Sequence, residues 1–179
     1  MSSPTKLEIG CGQRPTDGYA HNDMNAFDGV DYVCPAWKIG LPDRSLDEVV
    51  ALGVIEHLQY EEVRDTFRNV HRMLKSGGVF LFDVPDIITW CRYLVDDAHG
   101  KSVPFEREHI MSTLYGWQRW PGDEHKSGWT RDLLTEYLAK SGFLHIRIEP
   151  AATQFKQRGF ERNRFERPLD AHFYVTATK

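Results

Sequence analysis

The chain has 179 residues, of which 41% are hydrophobic and 27% charged, with a formal net charge of −4. That length accommodates one domain with a proper core, and the balance is that of a globular protein rather than a disordered or fibrous one. The slight acidity argues against a protein that coats nucleic acid without regard to sequence, and three scattered cysteines (Cys11, Cys34, Cys91) provide neither a disulfide framework nor a paired-cysteine metal site. They read as reduced thiols of a cytoplasmic protein. Met1 to Thr5 is a polar tail without leader character, and no apolar run is long enough to span a bilayer.

Short apolar runs alternate with amphipathic stretches along the chain, which predicts βαβ units around a mostly parallel sheet. The first run, Leu7-Glu8-Ile9, ends in Gly10-Cys11-Gly12. Short strands are expected over Tyr19 to Asp23 and Val30 to Cys34, and a fully buried one over Leu46 to Leu52. Val63, Phe67, Val70, Met73 and Leu74 recur at helical spacing, predicting a helix from Glu61 to Leu74 that Ser76-Gly77-Gly78 stops. Val79 to Val84 is the fifth strand. Residues 86–128 have no steady period but are dense in Trp, Tyr and His. Thr130 is placed to cap a helix running to Lys140, and Phe143 to Ile148 and His172 to Thr176 read as strands. The long connection before the last strand suggests an antiparallel C-terminal edge. The expectation is one α/β domain over residues 1–179, Rossmann-like and three-layered: a ligand-binding half (6–86), an insert (87–128), and a C-terminal helix with strands (129–179).

A strand running into a glycine turn lets backbone approach a ligand closely, and open α/β sheets bind ligands at the carboxyl ends of their strands. Here the turn has ordered companions. Leu7 to Gly12 resembles motif I of the class I S-adenosylmethionine-dependent methyltransferases, of the type 11 kind. Pro42 to Val49 resembles that family's approach to its fourth strand, Val54-Ile55-Glu56-His57-Leu58 the segment after it, and Arg72 to Gly78 the turn before the fifth strand, with Ser76 where proline is usual. The resemblance implies S-adenosylmethionine as cofactor and methyl transfer to an oxygen or nitrogen of a small-molecule acceptor. It implies that Glu8, Gly10, Cys11 and Gly12 hold the methionine part, Asp23 the ribose hydroxyls, and Gly53 and Val54 the cofactor's amino end. An acidic residue expected after the third strand is missing; Cys34-Pro35-Ala36-Trp37 stands there. Adenine would then rest on backbone near Ala36 and on the face of Trp37, unless Trp37 is simply core. The span from Gly10 to Tyr19 is also short for a parallel crossover.

A hydroxyl or cationic amine acceptor must lose a proton, and His57, Asp86, His109 and His125 are the candidate bases. The histidines have no metal-ligand spacing, so no metal is expected. The segment 151–168 carries five basic residues (Lys156, Arg158, Arg162, Arg164, Arg167) against Glu161 and Glu166, interleaved with Phe155, Phe160 and Phe165. It reads as a solvated hairpin, or as a grip on a phosphate-bearing or nucleic-acid acceptor. Nucleic-acid methylation is the second reading, set back because Val84-Pro85-Asp86-Ile87 stands where exocyclic-amine methyltransferases carry an Asn-Pro-Pro-Tyr type tetrad. A non-catalytic module that binds S-adenosylmethionine or S-adenosylhomocysteine is the third. The turn lacks the third glycine of the nicotinamide fingerprint.

Overall fold

A computed structural model describes residues 4–149 and 171–179. The basic 151–168 segment lies outside the described residues. Seven strands form one sheet: β1 (Lys6–Ile9), β2 (Ala20–Asp23), β3 (Tyr32–Val33), β4 (Leu46–Leu52), β5 (Leu74–Pro85), β6 (Leu144–Glu149) and β7 (His172–Thr178). Their order is β3-β2-β1-β4-β5-β7-β6, with every pairing from β3 to β5 parallel. The expected antiparallel element is β7, which pairs antiparallel with both β5 and β6 and so sits one place in from the edge. Among the described residues four α-helices accompany the sheet: α1 (Tyr60–Met73), α2 (Ile87–Ala98), α3 (Arg107–Tyr115) and α4 (Arg131–Lys140). None of the described helices is long and apolar enough to cross a membrane.

The continuous apolar runs of β4 and β5 are used on both faces. Val49, Ala51, Phe80 and Phe82 pack with Val63, Phe67 and Val70 of α1 and Leu134 and Leu138 of α4. Val50, Leu52 and Leu81 form a smaller cluster with Tyr174 on the alternate face. Alternation of side chains along a strand produces this division. Phe67 is fully buried with its ring 5.3 Å from Phe82 and 5.7 Å from Phe80. Such a residue truncated to alanine costs about 3–5 kcal/mol.

Several boundaries differ from expectation. Helix α1 starts earlier because Gln59 and Glu62 close a reciprocal capping box. It ends at Met73 rather than at the glycines, because Leu74 is already extended and pairs with Leu46 of β4. The Ser76–Gly78 turn therefore lies inside β5, where Gly77 N–H donates to the carbonyl of Lys179 at 2.8 Å. The aperiodic insert contains two helices. Its helical signal was carried by Trp90, Tyr93 and Leu94, which cluster with Ile110 and Leu114 of α3, but exposed Ile88 and Val95 blurred it.

No helix joins β1 to β2. Residues 10–19 form a loop pinned at Thr16, whose N–H donates to Glu8 Oε2 at 2.7 Å and whose hydroxyl donates to Glu8 Oε1 at 3.0 Å. The His21 ring bonds the Thr16 carbonyl at 2.8 Å. Buried Glu8 on β1 and half-buried His21 on β2 thus do the work that a crossover helix does elsewhere.

Candidate active site

The glycine turn opens at the carboxyl ends of β1 and β4. Gly10, Gly12 and Gly53 all have positive φ (65°, 60° and 65°). The amides of Gly10 and Cys11 donate to the Asn22 carbonyl at 2.8 and 3.1 Å, and Gly12 N–H donates to Asp23 Oδ2 at 3.0 Å. The turn is consequently tied to β2 before any ligand arrives. The two glycines serve different ends. A Cβ on Gly10 would lie 2.3 Å from Val54 Cγ2, whereas one on Gly12 would meet nothing within 4 Å. Gly10 permits close approach between the turn and the segment after β4, and Gly12 supplies backbone conformation beside open space.

Asp23 is nearly buried, with Oδ1 accepting from Asn25 N–H at 2.9 Å. Oδ1 also accepts from Asn25 Nδ2 at 3.2 Å, so a hydroxyl donor would meet the second lone pair of Oδ2 or displace the Asn25 side chain. Glu8 is fully buried and holds the loop at Thr16. Across the cleft, Gly53 N–H donates to Asp83 Oδ1 at 2.8 Å. Asp83 is fully buried near the end of β5, and His172 Nδ1 lies 3.8 Å from its Oδ2. The sequence reading passed over Asp83, although a lone carboxylate inside the apolar run Val79 to Val84 was a signal that something polar must meet it. Ala36 is buried, and Trp37 is half-buried against the main core, where a short 3-10 turn follows β3.

The four candidate bases fall into separate places. Asp86 is the N-cap of α2: it accepts from Ile88 N–H at 3.1 Å and from the Thr89 hydroxyl at 2.6 Å. His109, on α3, stacks on Phe105 (4.9 Å between centroids) and Trp90 (5.7 Å), with Trp117 edge-on at 5.2 Å. His57 and His125 are brought together, 68 positions apart in sequence, with ring centroids 4.8 Å apart in an edge-to-face arrangement at 79°.

The backbone makes that pairing. Lys126 and Ser127 N–H both donate to the Glu56 carbonyl, at 2.8 and 3.1 Å, and the Ser127 hydroxyl donates to the Ile55 carbonyl at 3.2 Å. His57 Nδ1 bonds the Glu124 carbonyl at 3.1 Å. His125 N–H donates to the Tyr115 carbonyl at 3.0 Å, tying the same segment to the end of α3. Burial, then the nearby His57, pushes the His125 imidazole down to about 4, so it is neutral near pH 7. Asp123 is held below the usual carboxylate range: burial works against this, and hydrogen bonds from the Arg119 side chain and backbone prevail.

Residues 13–82 match the family model of a methyltransferase domain. No curated protein sequence matches the chain significantly. Among solved structures, it is similar to Haemonchus contortus phosphoethanolamine N-methyltransferase 2 bound to S-adenosyl-L-methionine, at 16% identity and a TM-score of 0.60 over 97% of this chain. The alignment spans 48% of that protein, so this chain covers about half its length. A Mesorhizobium loti S-adenosylmethionine-dependent methyltransferase aligns at 22% identity and a TM-score of 0.58, over 97% of this chain and 90% of its own. Burkholderia thailandensis 1,6-didemethyltoxoflavin-N1-methyltransferase aligns at 17% and 0.57, over 97% and 70%. At these identities the likeness speaks for the fold.

Proposed function

We propose that this chain is an S-adenosylmethionine-dependent methyltransferase that transfers the cofactor's methyl group to an oxygen or nitrogen of a small-molecule acceptor, a reading supported by the methyltransferase-domain match over residues 13–82. The observation that carries the reading is the prepared glycine turn: three consecutive amides fixed on β2, with open space at Gly12 and Val54 pressed against Gly10. Such a cradle fits the cofactor. The Gly10–Gly12 turn, with Glu8 behind it, would receive the methionine part, Asp23 the ribose, Gly53 and Val54 the amino end, and the Ala36–Trp37 turn the adenine. S-adenosylmethionine supplies a methyl on a sulfonium, a leaving group good enough that alignment of the acceptor accounts for much of the rate.

The chain's own residues then have three tasks. The glycine turn and Asp23 fix the cofactor's position. Helices α2 and α3, with the aromatic stack around His109, are the part of the chain assigned to the acceptor side. His57, just beyond the end of β4, and His125, which the returning segment brings against it, engage the polar group of the acceptor, while Asp86 caps α2 after β5. Two of the similar solved proteins are named for small-molecule acceptors, phosphoethanolamine and 1,6-didemethyltoxoflavin, which supports a small acceptor here.

Calorimetric titration of the purified protein with S-adenosylmethionine, S-adenosylhomocysteine and NAD tests this. Binding of the first two and not the third is expected, with loss in Gly10→Arg. Tighter binding of NAD, or undiminished binding in the variant, would overturn it.

A further inference from the structure

Glu56, His57 and His125 each present one ligand atom, a carboxylate oxygen or an imidazole nitrogen, and these atoms all lie within 4.8 Å of one another. We propose that these three residues bind a first-row divalent transition cation, such as zinc or manganese, with an open coordination position directed to an oxygen-bearing acceptor.

The argument begins with donor chemistry. Two imidazoles and a carboxylate make a mixed nitrogen and oxygen set, which suits zinc, iron and manganese better than magnesium or calcium alone. Three protein ligands leave a position for water or substrate, as catalytic sites do, where a closed structural site has four.

The His57 ring is also prepared as a ligand. Its Nδ1 bonds the Glu124 carbonyl at 3.1 Å. A neutral imidazole that donates one N–H to a carbonyl offers the other nitrogen as a lone pair, and metal-bound histidines are fixed in this way by an outer partner. Glu56 is 5% exposed, a burial that a carboxylate tolerates when it meets positive charge.

The scaffold is rigid where the ligands attach. The 3-10 turn Ile55–His57 and the segment from Glu124 to Ser127 are joined by four hydrogen bonds: the Lys126 and Ser127 amides on the Glu56 carbonyl, the Ser127 hydroxyl on the Ile55 carbonyl, and His57 Nδ1 with the Glu124 carbonyl. Ligand atoms of a zinc site stand roughly 3.3 Å apart, from bonds of about 2.0–2.1 Å at tetrahedral angles. The present atoms, up to 4.8 Å apart, exceed that by at most roughly 1.5 Å, which the side chains would have to close on binding. Sequence spacing concealed the site because His125 arrives from the far end of the insert.

The cation binding itself stands apart from the methyl-transfer reading; only the identity of its fourth partner rests on it. The test uses the full-length protein, stripped with a chelator and dialysed. Cobalt(II) is titrated as a spectroscopic probe, and zinc and manganese by calorimetry, with S-adenosylhomocysteine binding measured on the same samples. One cobalt per chain with visible d–d bands is expected, displaced by one zinc. Glu56→Gln and His125→Gln should each weaken zinc at least about tenfold, with His99→Ala as an unaffected control, and both should keep S-adenosylhomocysteine affinity. Cobalt spectra like those of free aqueous ion, or unchanged zinc affinity in either folded variant, would overturn the site. Those outcomes with intact S-adenosylhomocysteine binding would leave the cofactor reading standing; cation binding without S-adenosylhomocysteine binding would remove the cofactor reading and keep the site.

Discussion

Gly10 and Gly12 flank one cysteine, yet alanine should have unequal effects at the two positions. Both have positive φ, which costs an L-residue about 1–2 kcal/mol. At Gly12 that is the whole cost, because a Cβ would meet nothing within 4 Å. At Gly10 the Cβ would stand 2.3 Å from Val54 Cγ2, so turn or valine must move. Forcing a methyl into such a contact adds about 1–3 kcal/mol. Gly10→Ala should therefore cost about 2–5 kcal/mol in total and Gly12→Ala about 1–2. For a domain of this size each kcal/mol lowers Tm by about 2–4 °C. Thermal unfolding followed by circular dichroism would read the two drops. Val54→Ala in the Gly10→Ala background should recover much of the clash and none of the dihedral cost. Equal Tm values for the two alanine variants, or no recovery in the double variant, would refute the close approach between turn and β4 segment.

Asp23→Ala leaves the Gly12 amide without its carboxylate and should weaken S-adenosylmethionine binding by calorimetry about tenfold or more, whereas Asp23→Asn, which retains one acceptor oxygen, should lose less. Asp83→Ala removes a buried partner of Gly53 N–H and should lower stability by about 1–3 kcal/mol in urea unfolding, with an unchanged m-value. His71 lies beside Phe143 and the Gly142 backbone, and its affinity for a proton is lowered first by burial and then by the charge of Lys179. The unfolded chain therefore takes up that proton more readily, so stability is full above the ordinary histidine range and declines as pH falls through it. Tm measured from pH 7.5 to 5 should fall more steeply in the wild type than in His71→Gln; parallel curves would count against this.

The sheet was legible because Val49 to Leu52 in β4 and Val79 to Phe82 in β5 are uninterrupted apolar runs, a pattern that admits few alternatives once a helix such as α1 lies between them. The insert was not, since α2 and α3 pack chiefly on each other around Trp90, and a small satellite cluster needs only a few apolar positions on each helix. The glycine turn and its partner Asp23 could be read because they are joined by short-range strand geometry. Asp83 and the meeting of His57 with His125 depend on contacts over 30 and 68 positions, which only the folded sheet and the returning segment establish. The role of Glu8 was legible as a position and not as a partner, because its bond to Thr16 exists only where the crossover helix has been replaced by a loop.

That replacement alters how the cleft can breathe. A helix between two strands opens only by losing its own internal hydrogen bonds together, as a cooperative unit. The 10–19 loop, by contrast, is held by separate bonds: the Gly10 and Cys11 amides on the Asn22 carbonyl, the Gly12 amide on Asp23, and Glu8 and His21 on Thr16. Bonds of this kind are released a few at a time while the sheet behind them stays folded, and such local openings lie at the low end of a protein's stability range. Glu8 is thus one of several fastenings at the entrance to the cleft, separate from the core that keeps the domain together.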